Sequence, residues 1–242
     1  MLLKIISIVG SFTFFSRILG YTRDLLIARV VGAGLISDCF FIAFKLPNLF
    51  RRLFGEGAMN SAFIPVVSGI NAKSGKRQSD DFFSRIFSIL LVFLLLFLLI
   101  VEIFMPIIIN LIAPGFVENP EKFDLSVEFS RLSFPFVFFV CLTSLMGAYL
   151  NTLGRFAAMA VTPIILNLSM IFVLVVFFKI EDKIYISSFL SFSISLAGIF
   201  QVLWMYFNLK NSDIKLSISW NIKKLIKKNR ETSKFFKLLI PA

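Results

Sequence analysis

The chain has 242 residues, of which 58% are hydrophobic and 16% charged, with a mean hydropathy of +0.90; a soluble globular domain carries about 25% charged residues to make its polar shell. Lysine and arginine outnumber aspartate and glutamate by 25 to 14, a formal net charge of +11, and there is no histidine, which excludes histidine-based catalysis and histidine metal ligands. The apolar residues lie in long blocks of the length a bilayer demands, about 20 residues. They lack the period-two alternation of β-barrel strands, so the fold class is all-α, a polytopic membrane helix bundle.

The first helix is expected over 3–30. Lys4 precedes an apolar run from Ile5 to Leu19, but no small-residue cleavage site follows, so this is a retained helix and not a removable leader. It carries Arg17, Arg23 and Asp24. Arg17 and Asp24, seven residues apart, share a face with Gly10 and Thr13, whereas Arg23 points elsewhere. After VGAG (31–34) a second helix is expected over 36–70. Asp38, Lys45 and Arg52 recur at intervals of seven, with Arg51 beside Arg52 and Glu56 four residues beyond it, so one stripe bears acid, base, base and acid. Lys45 also comes within reach of Asn48. Pro47, Gly55, Gly57 and Pro65 are break points at which this helix hinges.

A polar loop is expected at 71–81 (NAKSGKRQSDD), then helices over 82–112, 126–152, 157–179 and 184–209. The breaks APGFVENPEKFD (113–124), LGRF (153–156) and KIEDK (179–183) separate them. The apolar block 86–113 holds one interior charge, Glu102, read as a structural contact like Arg155 in its loop. Cys39 and Cys141 fall inside apolar helices and read as buried thiols. The 1–208 bundle is followed by a basic linker, 209–233, in which Trp220, Ile222, Leu225 and Ile226 alternate with lysines as in an amphipathic helix lying on a membrane surface. Residues 234–242 begin a seventh span. Lysine and arginine concentrate in 71–81, 153–156 and the linker, which share one side if the N-terminus is cytoplasmic. The net charge then reflects that bias and contact with anionic lipid, not nucleic acid.

Charges at membrane depth cost several kcal/mol each unless they pair or face water. Snorkelling at the inner surface is the plain reading of Arg51 and Arg52. A water-filled, cation-lined cavity is the reading that also accounts for Arg17, and such a cavity implies an anionic ligand, phosphate being the natural match to the arginine fork. An intramembrane enzyme of lipid-linked sugar chemistry would need paired carboxylates, a histidine or a metal-binding acidic cluster. The Asp80–Asp81 pair lies in a polar loop and reads as solvated surface. No catalytic and no metal-ligating residue is expected.

The segment FFSRILGYTRDLLIARVVGAGLISDCFFIAFKLPNLFRRLFGEGAMNSAFIPV (14–66) resembles the N-terminal signature of the MurJ (MviN) lipid II flippases, in the MOP exporter superfamily. LIAPGF (111–116), RLSFPFVFF (131–139) and GAYLNTLGRFAAMAVTPIILNLSMI (147–171) are similar to that family too. The resemblance implies the N-lobe of a MOP-type, MATE-like transporter of two similar lobes, with six complete spans and the start of a seventh. It implies transport of the undecaprenyl-pyrophosphate-linked peptidoglycan precursor, lipid II, from inner to outer leaflet by alternating access, in service of peptidoglycan biosynthesis, cell wall biogenesis and cell shape. By motif, Arg17, Arg23 and Arg52, with Arg51 alongside, are the substrate-binding cations. Asp24, Asp38, Lys45 and Glu56 are their charge partners or gating residues.

The implied partners are lipid II, membrane lipids and a C-lobe of the same protein, in the bacterial cytoplasmic (inner) membrane. No cofactor is expected in this chain, and coupling would come from a monovalent ion or the membrane potential. The chain is expected to be a fragment. The alternative is a MOP-type exporter of another oligosaccharide-lipid; an exporter of drug-like cations would favour an acidic cavity.

Overall fold

The structure, a computed structural model, describes residues 2–50, 58–221 and 230–239. Every regular element among them is helical: α1 (Leu2–Val30), α2 (Leu35–Phe50), α3 (Ala58–Ser74), α4 (Lys76–Ile112), a 3-10 turn (Pro114–Phe116), α5 (Pro120–Ser133), α6 (Pro135–Thr152), α7 (Ala157–Val176), α8 (Lys183–Lys210) and α9 (Arg230–Leu239). Among the described residues four segments are long and apolar enough to cross a membrane: Lys76–Ile112, Pro120–Thr152, Ala157–Val176 and Lys183–Lys210. Outside that group stand α1, with its interior charges, and α2 and α3, of 16 and 17 residues.

Several boundaries differ from expectation, each for a local reason. The polar stretch 71–81 is not a loop. It is helical except at Gly75, whose φ of 80° turns α3 into α4. Lysine, arginine and glutamine are good helix formers, and polarity here marks the part of α4 that outgrows the bilayer. With 37 residues, α4 is about 55 Å long against a hydrocarbon core of about 30 Å.

The fourth expected helix starts at Pro120 instead of 126. Asn119 caps it by accepting from the Lys122 amide, and proline at the first position is compatible with a helix start. It is divided at Phe134, where Pro135 begins α6. The fifth ends at Val176, short of 179, and the sixth is capped by Asp182, whose side chain accepts from the Tyr185 amide. The second expected helix appears as α2 and α3, with residues 51–57 outside the described residues.

The linker departs most. After α8 the chain turns at Asp213 (φ 54°) and continues through 214–221 without helical structure. Ser84 and Ser88 of α4 accept from the Ser217 and Ser219 amides, at 3.2 and 3.0 Å, and Lys76 Nζ donates to the carbonyls of Ser212 and Asp213. Trp220 is thus in an extended segment and 63% exposed; Ile222, Leu225 and Ile226 lie outside the described residues. The last helix begins at Arg230, ahead of the expected 234, and packs on α3, with Phe235 buried edge-on against Phe63.

Contacts assign the connections to two ends of the bundle. At one end Asp38 pairs with Lys122, Arg29 lies over the Phe178 ring, and Lys183 Nζ approaches Gly32. At the other, Tyr149 donates to Asp80 and Lys76 reaches Ser212. The core lies around α6 and α8, against which α7, α5 and α2 pack. A Cβ at Gly198 of α8 would come within 2.8 Å of Phe139 Cβ, so these helices approach closely because that side chain is absent. Serine hydroxyls tie the layers: Ser195 donates to the Leu132 carbonyl at 2.6 Å and Ser133 to that of Ala43 at 2.9 Å.

Candidate functional site

While α1 lies along α7, α2 packs on α5, α8 and α6. Between these two groups is a cleft of about 760 Å³. Gly20 and Arg23 of α1, Phe44 and Lys45 of α2 and Asn167 of α7 line its walls, and Ser144 and Gln201 come from α6 and α8. Arg23 and Lys45 are charged, and no carboxylate lines the cleft among the described residues.

Three helices hold Arg23. Its Nε and Nη2 donate to one carboxylate oxygen of Asp24, at 2.9 and 2.7 Å. Its Nη1 donates to Asn167 Oδ1 at 2.9 Å. The guanidinium carbon stands 5.0 Å from the centroid of the Phe44 ring, a cation–π distance. The Arg23 side chain is 13% exposed and that of Asp24 62%, so the acid is solvated while the base is enclosed. Asn167, 6% exposed, also donates through Nδ2 to the Ser16 carbonyl at 3.0 Å. A guanidinium fixed this way offers rigid donors for an anion at low dielectric.

The other expected site residues are placed differently. Arg17 is exposed on α1, about 9 Å further toward its N-terminus than Arg23, and does not line the cleft. Asp24 pairs with its neighbour Arg23, although the helical repeat puts it on the face of Arg17. Asp38 lies outside the cleft at the start of α2, where its carboxylate takes a 2.7 Å ion pair from Lys122, itself 4.2 Å over the Phe116 ring. Lys45 is exposed on the cleft wall, and Asn48 spends its amide on the Phe44 carbonyl.

Pro47 and Pro65 sit inside α2 and α3, which continue through them. Arg51, Arg52, Gly55, Glu56 and Gly57 lie outside the described residues. Asp80 is not mere solvated surface: it is half-buried and accepts from Tyr149, while Asp81 is exposed. Arg131 Nε donates to the Glu102 backbone carbonyl at 3.3 Å, a contact between α5 and α4. Among the described residues no group of three or more cysteines, aspartates or glutamates is arranged to hold a metal ion.

Sequence reading missed Asn167 and Phe44. Phe44 is one phenylalanine among 32 and carries no signal. Asn167 does: an amide in the apolar run PIILNLSMI must find partners inside the protein.

A family model described as "Lipid II flippase MurJ" matches residues 27–242. A "Probable lipid II flippase MurJ" of Rickettsia prowazekii is 40% identical over 226 residues, 90% of this chain and 43% of the relative. A protein of the same description from Rhizobium tropici is 38% identical over 231 residues, 90% of this chain and 42% of that one. Among solved structures, "Lipid II flippase MurJ, inward closed conformation" superposes with a TM-score of 0.71 at 28% identity, over 96% of this chain and 46% of the solved one. The chain spans less than half the length of each of these relatives.

Proposed function

Because the chain belongs to the MurJ family of lipid II flippases, we propose that it forms the N-terminal lobe of a transporter that carries the undecaprenyl-pyrophosphate-linked peptidoglycan precursor from the inner to the outer leaflet of the bacterial cytoplasmic membrane. The observation that carries this reading is the enclosed guanidinium of Arg23 on a cleft wall with Lys45 as its charged companion. The pyrophosphate sits against these cations and the lipid tail stays in the bilayer. Arg23 has a carboxylate partner of its own on α1, so its charge is compensated independently of the anion. That matters because an unpaired charge in a low-dielectric interior is costly. An incoming phosphate takes the guanidinium N–H groups that Asp24 and Asn167 leave free, so loading adds charge-assisted contacts while the ion pair stays made.

Alternating access needs a second lobe facing this cleft, and the additional length of the relatives is the place for it. The end of the bundle carrying Lys73, Lys76, Arg77, Arg155 and Lys210 faces the cytoplasm under the positive-inside bias, with the N-terminus on that side. Arg17 and Arg52 are proposed as further anion contacts on the same path, with Arg51 beside them.

The test is lipid II export by the full-length protein carrying Arg23→Ala, Arg17→Ala or Arg52→Ala, at membrane abundance matched to the unaltered protein. Each is expected to abolish export, and Arg23→Lys to fall short because an ammonium lacks the planar fork. Normal export by Arg23→Ala at equal abundance sinks the assignment.

A further inference from the structure

We infer that Asn167 on α7 is a positioning residue for the anion-binding arginine, orienting the Arg23 guanidinium at the cleft wall while fixing the register of α1 on α7. The inference rests on the reading of Arg23 as an anion contact and names what holds that contact in place.

Both ends of the Asn167 amide are used, and both on α1. Oδ1 accepts from Arg23 Nη1 at 2.9 Å and Nδ2 donates to the Ser16 carbonyl at 3.0 Å. Ser16 and Arg23 are seven residues apart and so nearly eclipse on the helix, two turns from each other. Between them lies Gly20, where an added Cβ would stand 3.6 Å from Nδ2 and 4.0 Å from Oδ1. These are ordinary van der Waals distances, so the amide lies directly against α1 at Gly20, between its two hydrogen-bond partners.

The chemistry of the amide suits this place better than its isosteres. An aspartate would repel the Ser16 carbonyl and would put a second carboxylate on a guanidinium that already has Asp24, turning the locality net negative against a phosphate. A leucine would fill the volume and orient nothing. Asparagine accepts from the arginine without cancelling its charge. The guanidinium has five N–H groups; Asp24 takes one from Nε and one from Nη2, and Asn167 one from Nη1. One N–H on each terminal nitrogen is left for an incoming anion. Long side chains lose rotamer freedom when they bind, and Asn167, Phe44 and Asp24 remove that freedom beforehand.

The experiment measures binding of a polyprenyl pyrophosphate in mixed micelles by the purified full-length protein, with thermal melting recorded alongside. Arg23→Ala, Asn167→Ala and the double variant are compared. Each single variant is expected to weaken binding about tenfold, the effect of losing one charge-assisted contact, and the double variant to bind no more weakly than Arg23→Ala alone, since positioning has nothing left to position. Losses that add in the double variant overturn the inference, because they show Asn167 acting independently of Arg23. Unchanged binding by Asn167→Ala beside a weakened Arg23→Ala overturns it too and leaves the anion site standing. Unchanged binding by Arg23→Ala, or none by the unaltered protein, overturns the anion reading and this inference together. Should Asn167→Ala not fold, Asn167→Ser, which keeps a smaller polar group, takes its place in the same comparison.

Discussion

Tyr149 lies flat on Phe83, with ring centroids 4.4 Å apart and planes 2° from parallel, while its hydroxyl donates to Asp80 and stands 3.1 Å from Ser79 Oγ. One side chain thus fastens the end of α6 to the base of α4 by both a stack and a hydrogen bond. Phe63 of α3 meets Tyr149 edge-on at 6.3 Å and Phe235 of α9 meets Phe63 at 6.1 Å, so four helices share the cluster. Tyr149→Phe keeps the stack and strips the half-buried Asp80 of its donor. It is expected to cost about 1–3 kcal/mol, read as a lower melting temperature of the full-length protein in detergent. An unchanged melting temperature would mean that water serves Asp80 equally well.

Two glycines at close helix approaches are expected to respond unequally to alanine. At Gly198 the added Cβ would meet Phe139 Cβ at 2.8 Å and Phe136 Cδ2 at 3.1 Å, atoms near the backbone or on a rigid ring. At Gly147 it would meet Met159 Sδ at 2.7 Å and Met205 Cε at 3.0 Å, the mobile ends of flexible side chains. Gly198→Ala should destabilise by about 1–3 kcal/mol, the usual range for overpacking, and Gly147→Ala by less. Melting curves of the two variants side by side decide the order, and the reverse order would refute this account of the packing.

The Asp38–Lys122 ion pair joins α2 to α5, but the Asp38 side chain is 54% exposed and that of Lys122 21%. Pairs of that exposure contribute about 0–1 kcal/mol. A double-mutant cycle on Asp38→Asn and Lys122→Met is expected to give a coupling inside that range, shrinking further in high salt. A coupling well above it would show that the pair is shielded in the whole protein.

The 214–221 segment should be docked in solution. Ser84→Ala with Ser88→Ala removes the acceptors for the Ser217 and Ser219 amides. Hydrogen exchange in the peptide covering 214–221 should then accelerate by an order of magnitude or more, with α6 and α8 unchanged. Exchange in that peptide already as fast as in a free chain, before any substitution, would mean that the serines hold nothing.

The helical, membrane-spanning character of the chain was legible because long apolar blocks have few other uses. The charged first helix, with Arg23 in it, was legible too, since an arginine among phenylalanines and isoleucines requires an explanation. Which charges meet was not. Periodicity sees one helix at a time, and two of the contacts that reassign the charges are between helices: Lys122 of α5 takes Asp38, and Asn167 of α7 takes Arg23. The rule that polar means loop failed at 71–81, because a helix that outgrows the bilayer must turn polar while staying helical. It failed again at 214–221, in the opposite sense. There Trp220 reads as the start of a surface helix with the lysines beyond it, and the serines that accept from the chain's amides sit more than a hundred residues away in α4.

The docking of that segment also constrains how the chain can change in length. From Ser84 to Ser88 α4 rises about 6 Å, and the amides of Ser217 and Ser219, two residues apart, meet these two hydroxyls. Inserting or deleting a residue between Lys210 and Ser217 would move these amides off their hydroxyls unless the turn at Asp213 absorbed the change. Ile214 and Leu216, which pack against the protein, would be displaced with them. Length variation in this connection is therefore expected to be scarcer before Ser217 than beyond Ser219, a restriction imposed by one helix on a segment distant in the chain.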